Sequence, residues 1–178
     1  MKNYISLLLL LLSLSLFAQS KEATKIYIVR HAEKMTDNPK ERDPLLTTKG
    51  LERADALAQI LQKKKIDVIY STDYKRTKAT AQPTATNKKL DIQSYDSRNL
   101  KEAIPTIVKS NQGKTILIVG HSNTILETIE AAGGLKPFAS IGDEDYDNLF
   151  LVTLKANGNT KVRAMKYGAK STPATKTE

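Results

Sequence analysis

Apolar residues fall along this chain in two alternating rhythms. Short β-branched runs, Ile26-Tyr27-Ile28-Val29, Val68-Ile69-Tyr70 and Thr115-Ile116-Leu117-Ile118-Val119, read as buried strands. Between them, Leu51, Ala54, Leu57, Ala58 and Leu61 keep helical spacing. The pattern predicts a strand over residues 25–30, then a loop marked by Pro39, Asp43 and Pro44. A helix opens at Thr48 and ends in Lys63-Lys64-Lys65, and a second strand covers residues 67–71. Thr72 or Asp73 caps the next helix, which runs to about Ala85, with Pro83 weakening its end. A weaker strand follows over residues 90–95, and a helix over 100–109 with Pro105 near its start. Residues 115–120 form the strongest strand. Thr124-Ile125-Leu126-Glu127 fits a capping box, opening a helix that closes at Gly133-Gly134. Residues 149–154 and 161–167 flank Ala156-Asn157-Gly158-Asn159, an Asn-Gly hairpin signal. The expected fold class is α/β: a mainly parallel sheet flanked by helices on both faces, closed by a C-terminal antiparallel hairpin.

The two ends fall outside that rhythm. After Lys2, residues 5–17 are almost all leucine and serine, and polar residues resume at Gln19. This is a secretory signal pattern, too short for a membrane span. Residues 1–18 are the expected signal peptide, with Ser20 as the other cleavage point. The mature protein is then periplasmic or secreted, with no stable membrane anchor. Residues 24–168 make one domain with a real hydrophobic core. Residues 169–178, rich in Lys, Thr, Ser and Ala, are expected to be a disordered tail.

Composition narrows the chemistry. The formal charge is +9, but the lysines are scattered and there is no tryptophan. That reads as solvated surface, so no nucleic-acid partner is expected. The absence of cysteine excludes disulfides, zinc–cysteine sites, a thiol nucleophile and lipid attachment at an N-terminal cysteine. No His-x-x-x-His spacing suggests a metal, and no cofactor is implied.

The chain has only two histidines, and each follows a strand. His31 comes after Arg30 at the end of the first. His121 stands in Gly120-His121-Ser122, just before the expected capped helix. Arg76 lies in the first turn of the helix that follows the second strand. Ligands of open α/β sheets bind at the carboxyl ends of the strands. A neutral imidazole at His31 is a competent nucleophile toward phosphorus. Arg30 and Arg76 offer planar forks for phosphate oxygens, and a protonated His121 would stabilise charge developing in the transition state. Each residue alone could equally be a polar strand end or a surface group; the coincidence of four points to a phosphoryl site.

At these residues the chain resembles the histidine phosphatase superfamily, the phosphoglycerate-mutase-like fold, and specifically a small exported member of its branch 1. Arg30-His31-Ala32-Glu33 is similar to the family's Arg-His-Gly signature, with Ala32 in place of glycine. Residues 71–77, followed by Thr80-Ala81, resemble its second arginine motif, and Gly120-His121-Ser122 its second histidine motif. Pro44-Leu45-Leu46-Thr47-Thr48-Lys49-Gly50 matches its Pro-Leu-Thr-x-x-Gly segment with an extra leucine. The resemblance implies a catalytic quartet of Arg30, His31, Arg76 and His121. Arg30, Arg76, His121 and Ser122 would hold the phosphate of a small phosphorylated substrate, with no metal. Many members carry a glutamate after strand three as proton donor. Glu102 fits by spacing; Asp96 fits by position, and Glu33 adjoins the nucleophile. Small members acting on phosphohistidine lack a clear acid. The acidic stretch Gly142-Asp143-Glu144-Asp145-Tyr146-Asp147-Asn148 either lines the substrate mouth or is a solvated turn.

The expectation is an exported, metal-independent phosphatase. It hydrolyses phosphomonoesters or phosphohistidine through a covalent phosphohistidine on His31. The rival readings are a catalytically silent module binding phosphate or glycan phosphate, a phosphomutase, and a metal hydrolase using both histidines.

Overall fold

The computed structural model describes residues 22–171. The expected signal peptide lies outside them, as do residues 172–178 of the expected tail. Six strands form one sheet in the order β3-β2-β4-β1-β5-β6. They are β1 (Thr24–Arg30), β2 (Val68–Ser71), β3 (Ile92–Ser94), β4 (Thr115–Gly120), β5 (Asn148–Leu154) and β6 (Thr160–Lys166). The first four are parallel, and β5 and β6 run antiparallel. The described residues form four α-helices, α1 (Thr48–Leu61), α2 (Lys75–Lys88), α3 (Leu100–Ser110) and α4 (Ile125–Ala131), with a 3-10 turn at Ser97–Asn99 before α3. This is the expected α/β class with its antiparallel hairpin.

Alternation along the central strands divides the core in two. Ile26, Ile28, Ile116 and Ile118 pack on one face with Ile104 and Ile107 of α3 and Ile125 and Ile129 of α4. Tyr27, Val29, Leu117 and Val119 pack on the other with Leu57 and Leu61 of α1 and Ala81 and Ala85 of α2. The central strands are thus apolar on both sides, which is why they read as continuous runs.

Strand register decides which residues meet at the carboxyl edge of the sheet. Arg30 pairs with Gly120 across β1 and β4, while Ser71 pairs with Val119 across β2 and β4. Three strands therefore end at one level, and the His31 N–H donates to the Gly120 carbonyl at 2.9 Å.

Several local expectations are corrected. Leu51, read as part of the buried face of α1, is 53% exposed, while Arg53 is buried there instead. The Thr124 side chain does not cap α4; its hydroxyl bonds the backbone of His121, so no capping box forms. Neither Thr72 nor Asp73 caps α2. That helix begins after Tyr74, and the Asp43 carboxylate accepts its first N–H, from Lys75, at 2.9 Å. Residues 169–171, expected to be part of the tail, are among the described residues, and Ser171 is hydrogen-bonded to Tyr146 and Asp147.

Candidate active site

His31, Arg30, Arg76 and His121 converge at the common ends of β1, β2 and β4. The two imidazole rings lie 5.4 Å apart, edge to face. His31 is 3% exposed, and its Nδ1 donates to the Ala32 carbonyl at 2.7 Å. That bond assigns the proton to Nδ1 and leaves Nε2 with its lone pair free. Burial pushes the His31 pKa down to about 3, with Arg30, His121 and Arg76 adding to the effect and the Ala32 bond opposing it. The ring is neutral near pH 7, as a nucleophile requires.

His121 Nε2 pairs with the Thr72 hydroxyl at 2.9 Å. Thr72 donates in turn to Thr77, whose own hydroxyl is turned toward the carbonyls of Thr72 and Tyr74. Thr72 therefore accepts from His121 Nε2–H. Burial, then Arg76 and Arg30, hold His121 down at about 4. The proton that sequence reasoning placed on this ring is thus absent from the free site at neutral pH. An anion placed beside the ring would raise the imidazole pKa.

Each arginine stacks on a tyrosine. The Arg30 guanidinium sits 4.0 Å above the Tyr146 ring, and its Nη1 donates to the carbonyls of Gly142 and Asp143. Arg76 sits 4.4 Å above Tyr74, and its Nη1 meets the Asp43 carboxylate at 3.4 Å. The Nε of both guanidiniums is buried without an acceptor. Two orphaned charged donors beside two imidazoles are chemically matched to the oxygens of a tetrahedral oxyanion. Ser122 stands next to His121 in the half-buried turn before α4. Among the described residues, no group of three His, Asp or Glu side chains converges as a metal site.

The three carboxylates considered as proton donors fare differently. Glu33 is bound through both oxygens by Arg53 at 2.8 Å, with Lys49 nearby. Burial pushes its pKa up, but those partners outweigh it and hold the carboxyl below its ordinary value. Asp96 is held at about 2 by the side chain and then the N–H of Arg98. Glu102 is exposed in the first turn of α3, where Asn99 donates to it, and it has no ion pair among the described residues. The structure gives Glu102 no contact with the quartet.

Sequence reasoning missed four residues that shape the site: Asp43, Thr72, Tyr74 and Tyr146. Tyr74 packs edge-on against His121 at 5.1 Å, and Tyr146 lies 6.1 Å from His31. The acidic stretch at 142–148, left open between mouth and solvated turn, contains the Gly142 and Asp143 carbonyls and the Tyr146 ring that clasp Arg30. A cavity of about 440 Å³ is lined by Tyr95, Asp96 and Arg98 together with Thr72 and Tyr74, the two residues that also touch His121.

Comparison with known proteins gives a family match over part of the chain and a shared fold over the described residues. Residues 26–102 match the model of the histidine phosphatase superfamily (branch 1). Phosphoserine phosphatase 1 of Hydrogenobacter thermophilus is 42% identical over 77 residues, covering 40% of this chain and 36% of that protein. The chain thus matches about a third of that relative's length. Among solved structures, the protein histidine phosphatase SixA complexed with tungstate superposes with a TM-score of 0.62 at 17% identity, covering 80% of this chain and 96% of that one. YhfR of Bacillus stearothermophilus gives 0.63 at 20% identity, covering 79% and 95%. A mutant phosphoserine phosphatase of Entamoeba histolytica in complex with phosphoserine gives 0.61 at 17% identity, covering 81% and 96%. Over residues 26–102 the chain thus matches the histidine phosphatase superfamily (branch 1), and its described residues share the fold of the protein histidine phosphatase SixA.

Proposed function

We propose that the protein is an exported phosphatase that hydrolyses phosphomonoesters or phosphohistidine without a metal, through a phosphohistidine on His31. One observation carries this reading: two buried guanidinium Nε atoms without acceptors flank a neutral imidazole whose Nε2 is free. In the first step His31 Nε2 attacks phosphorus and the bond from phosphorus to the leaving group breaks. Arg30, Arg76 and a newly protonated His121 hold the three equatorial oxygens. In the second step water attacks the phosphohistidine, the P–N bond breaks and phosphate leaves. The cavity beside Tyr74 is the place for the leaving group. Glu102 is proposed as the donor to a poor leaving group, because Glu33 and Asp96 are each committed to an arginine.

His31→Ala tests the reading. It should lower turnover of nitrophenyl phosphate at least a thousandfold, roughly the share lost when the covalent route is removed. Acid-labile, alkali-stable phosphate should appear on His31 in the wild type, and activity should survive EDTA. Near-normal activity in the variant defeats the mechanism, and restoration by a divalent ion after chelation favours the metal hydrolase. Export is proposed from residues 1–18, and mass spectrometry should find the mature chain starting at Gln19 or Lys21.

A further inference from the structure

Behind the site, Arg53 is 2% exposed and donates Nε to Glu33 Oε2 and Nη2 to Oε1, each at 2.8 Å. Its Nη1 donates to the Tyr167 carbonyl at 3.0 Å. The backbone of Glu33 is gripped as well. Its carbonyl accepts the Thr47 N–H at 2.9 Å, and α1 comes so close that a Cβ on Gly50 would stand 2.2 Å from that oxygen. One residue earlier, the Ala32 N–H donates to Thr80 at 2.9 Å, and the Ala32 carbonyl receives His31 Nδ1. The Glu33–Arg53 pair thus secures the peptide that sets the nucleophile's tautomer.

A second set of contacts reaches Arg30. The Ser171 hydroxyl oxygen accepts the N–H groups of Tyr146 and Asp147 at 2.9 and 3.1 Å. The Ser171 N–H donates to Asp147 Oδ2 at 3.1 Å, and Lys166 Nζ holds Oδ1 at 2.7 Å. Tyr146 is the ring under Arg30, and the loop before it supplies the two carbonyls on Nη1. The segment 167–171 therefore touches both networks, at Tyr167 and at Ser171.

We propose that this segment is a positioning strap with two separable arms. Through Arg53 and Glu33 it fixes the orientation of His31. Through Ser171 and the Tyr146 loop it fixes Arg30. Glu33, Arg53 and Ser171 are positioning residues, since none of them touches the reacting atoms. The turnover consequences rest on the phosphatase reading; the orientation consequences do not.

The full chain tests both arms. Ser171→Ala should raise the tungstate Kd and the KM for nitrophenyl phosphate about tenfold, leaving kcat within about twofold. Ser171→Thr, which keeps the hydroxyl, should restore both. Glu33→Gln should lower kcat about thirtyfold and leave the tungstate Kd within about threefold, because misorientation of a nucleophile is costly. In that variant the ¹⁵N spectrum of His31 should lose the pure Nδ1–H tautomer of the wild type. Arg53→Lys, which keeps the charge but not the fork, should show the same kcat-only loss and carries the test if Glu33→Gln does not fold. The strap is overturned if kcat and Kd move together in both arms, or if neither moves despite a lowered melting temperature. A wild type that hydrolyses no phosphate ester, while the tautomer and tungstate responses split as stated, keeps the strap and loses the phosphatase reading.

Discussion

The two halves of the site are held by different kinds of bond. On the β1 side, Arg30 and His31 are fixed by backbone carbonyls, those of Gly142, Asp143 and Ala32. On the side of β2 and β4, Arg76 and His121 are held chiefly by side chains, the Asp43 carboxylate and the Thr72 hydroxyl, with one long backbone contact from Arg76 to the Arg42 carbonyl at 3.5 Å. A carbonyl is placed by the fold and carries no net charge. A side-chain partner can turn, and Asp43 also offsets part of the charge on Arg76. The first half is therefore the more rigid, although Asp143, Glu144 and Asp145 offset part of the charge on Arg30 as well. The second has the side-chain freedom to adjust to a bound anion.

The sharpest way to break this comparison is to replace each arginine by lysine, which keeps the charge and removes the fork. Arg30→Lys should lower kcat/KM about a hundredfold, because it strips two carbonyls of their donor as well as the oxyanion. Arg76→Lys should cost about tenfold, since Asp43 can still pair with an ammonium. Equal losses would erase the distinction between the halves. Next comes Thr72→Val, which leaves His121 Nε2 without its acceptor. It should lower kcat/KM about tenfold, roughly the worth of one hydrogen bond to a charged group, and leave the His31 tautomer unchanged in ¹⁵N spectra. Glu102→Gln should slow hydrolysis of an alkyl phosphate at least tenfold more than that of nitrophenyl phosphate, since general acid help matters chiefly for a poor leaving group. Equal effects on both substrates would clear Glu102 of the role.

A separate effect is on stability. Both imidazoles bind protons more weakly in the folded chain than in the unfolded one, where histidine titrates near 6.5. As pH falls below about 6.5 the unfolded chain takes up protons, whereas the folded chain resists until about 4 at His121 and about 3 at His31. Their contribution is thus fully present above pH 6.5 and is lost as pH falls through the window from 6.5 toward 4. Thermal unfolding followed between pH 7 and 4 should show a falling midpoint, and His31→Asn should make that fall shallower.

The strands, their parallel arrangement and the four quartet residues were legible because each depends on a local pattern: a β-branched run followed by an imidazole or guanidinium. What stayed hidden depends on pairs distant in sequence. Arg53 is buried and Leu51 exposed because a carboxylate twenty positions earlier waits on that face of α1, and no helical periodicity encodes it. Asp43 sat in a loop marked by prolines, and its tasks at Lys75 and Arg76 appear only when that loop folds over α2. Thr124 had the spacing of a capping residue, yet its hydroxyl serves the backbone of His121 instead. Tyr146 gave no signal, since nothing in its neighbours says that Arg30 lies above it.

The edges of the sheet have a consequence for life at high concentration. An unpaired strand edge is a template for another chain. One edge here is β3, only three residues long. The other is β6, where Lys161, Arg163 and Lys166 are exposed. A second copy approaching that edge in register would bring like charges together. Exchanging Lys161 and Arg163 for threonine would remove most of that repulsion and leave a β-prone edge with Lys166 as its last charge, converting a sheet that ends at its sixth strand into one that can be extended.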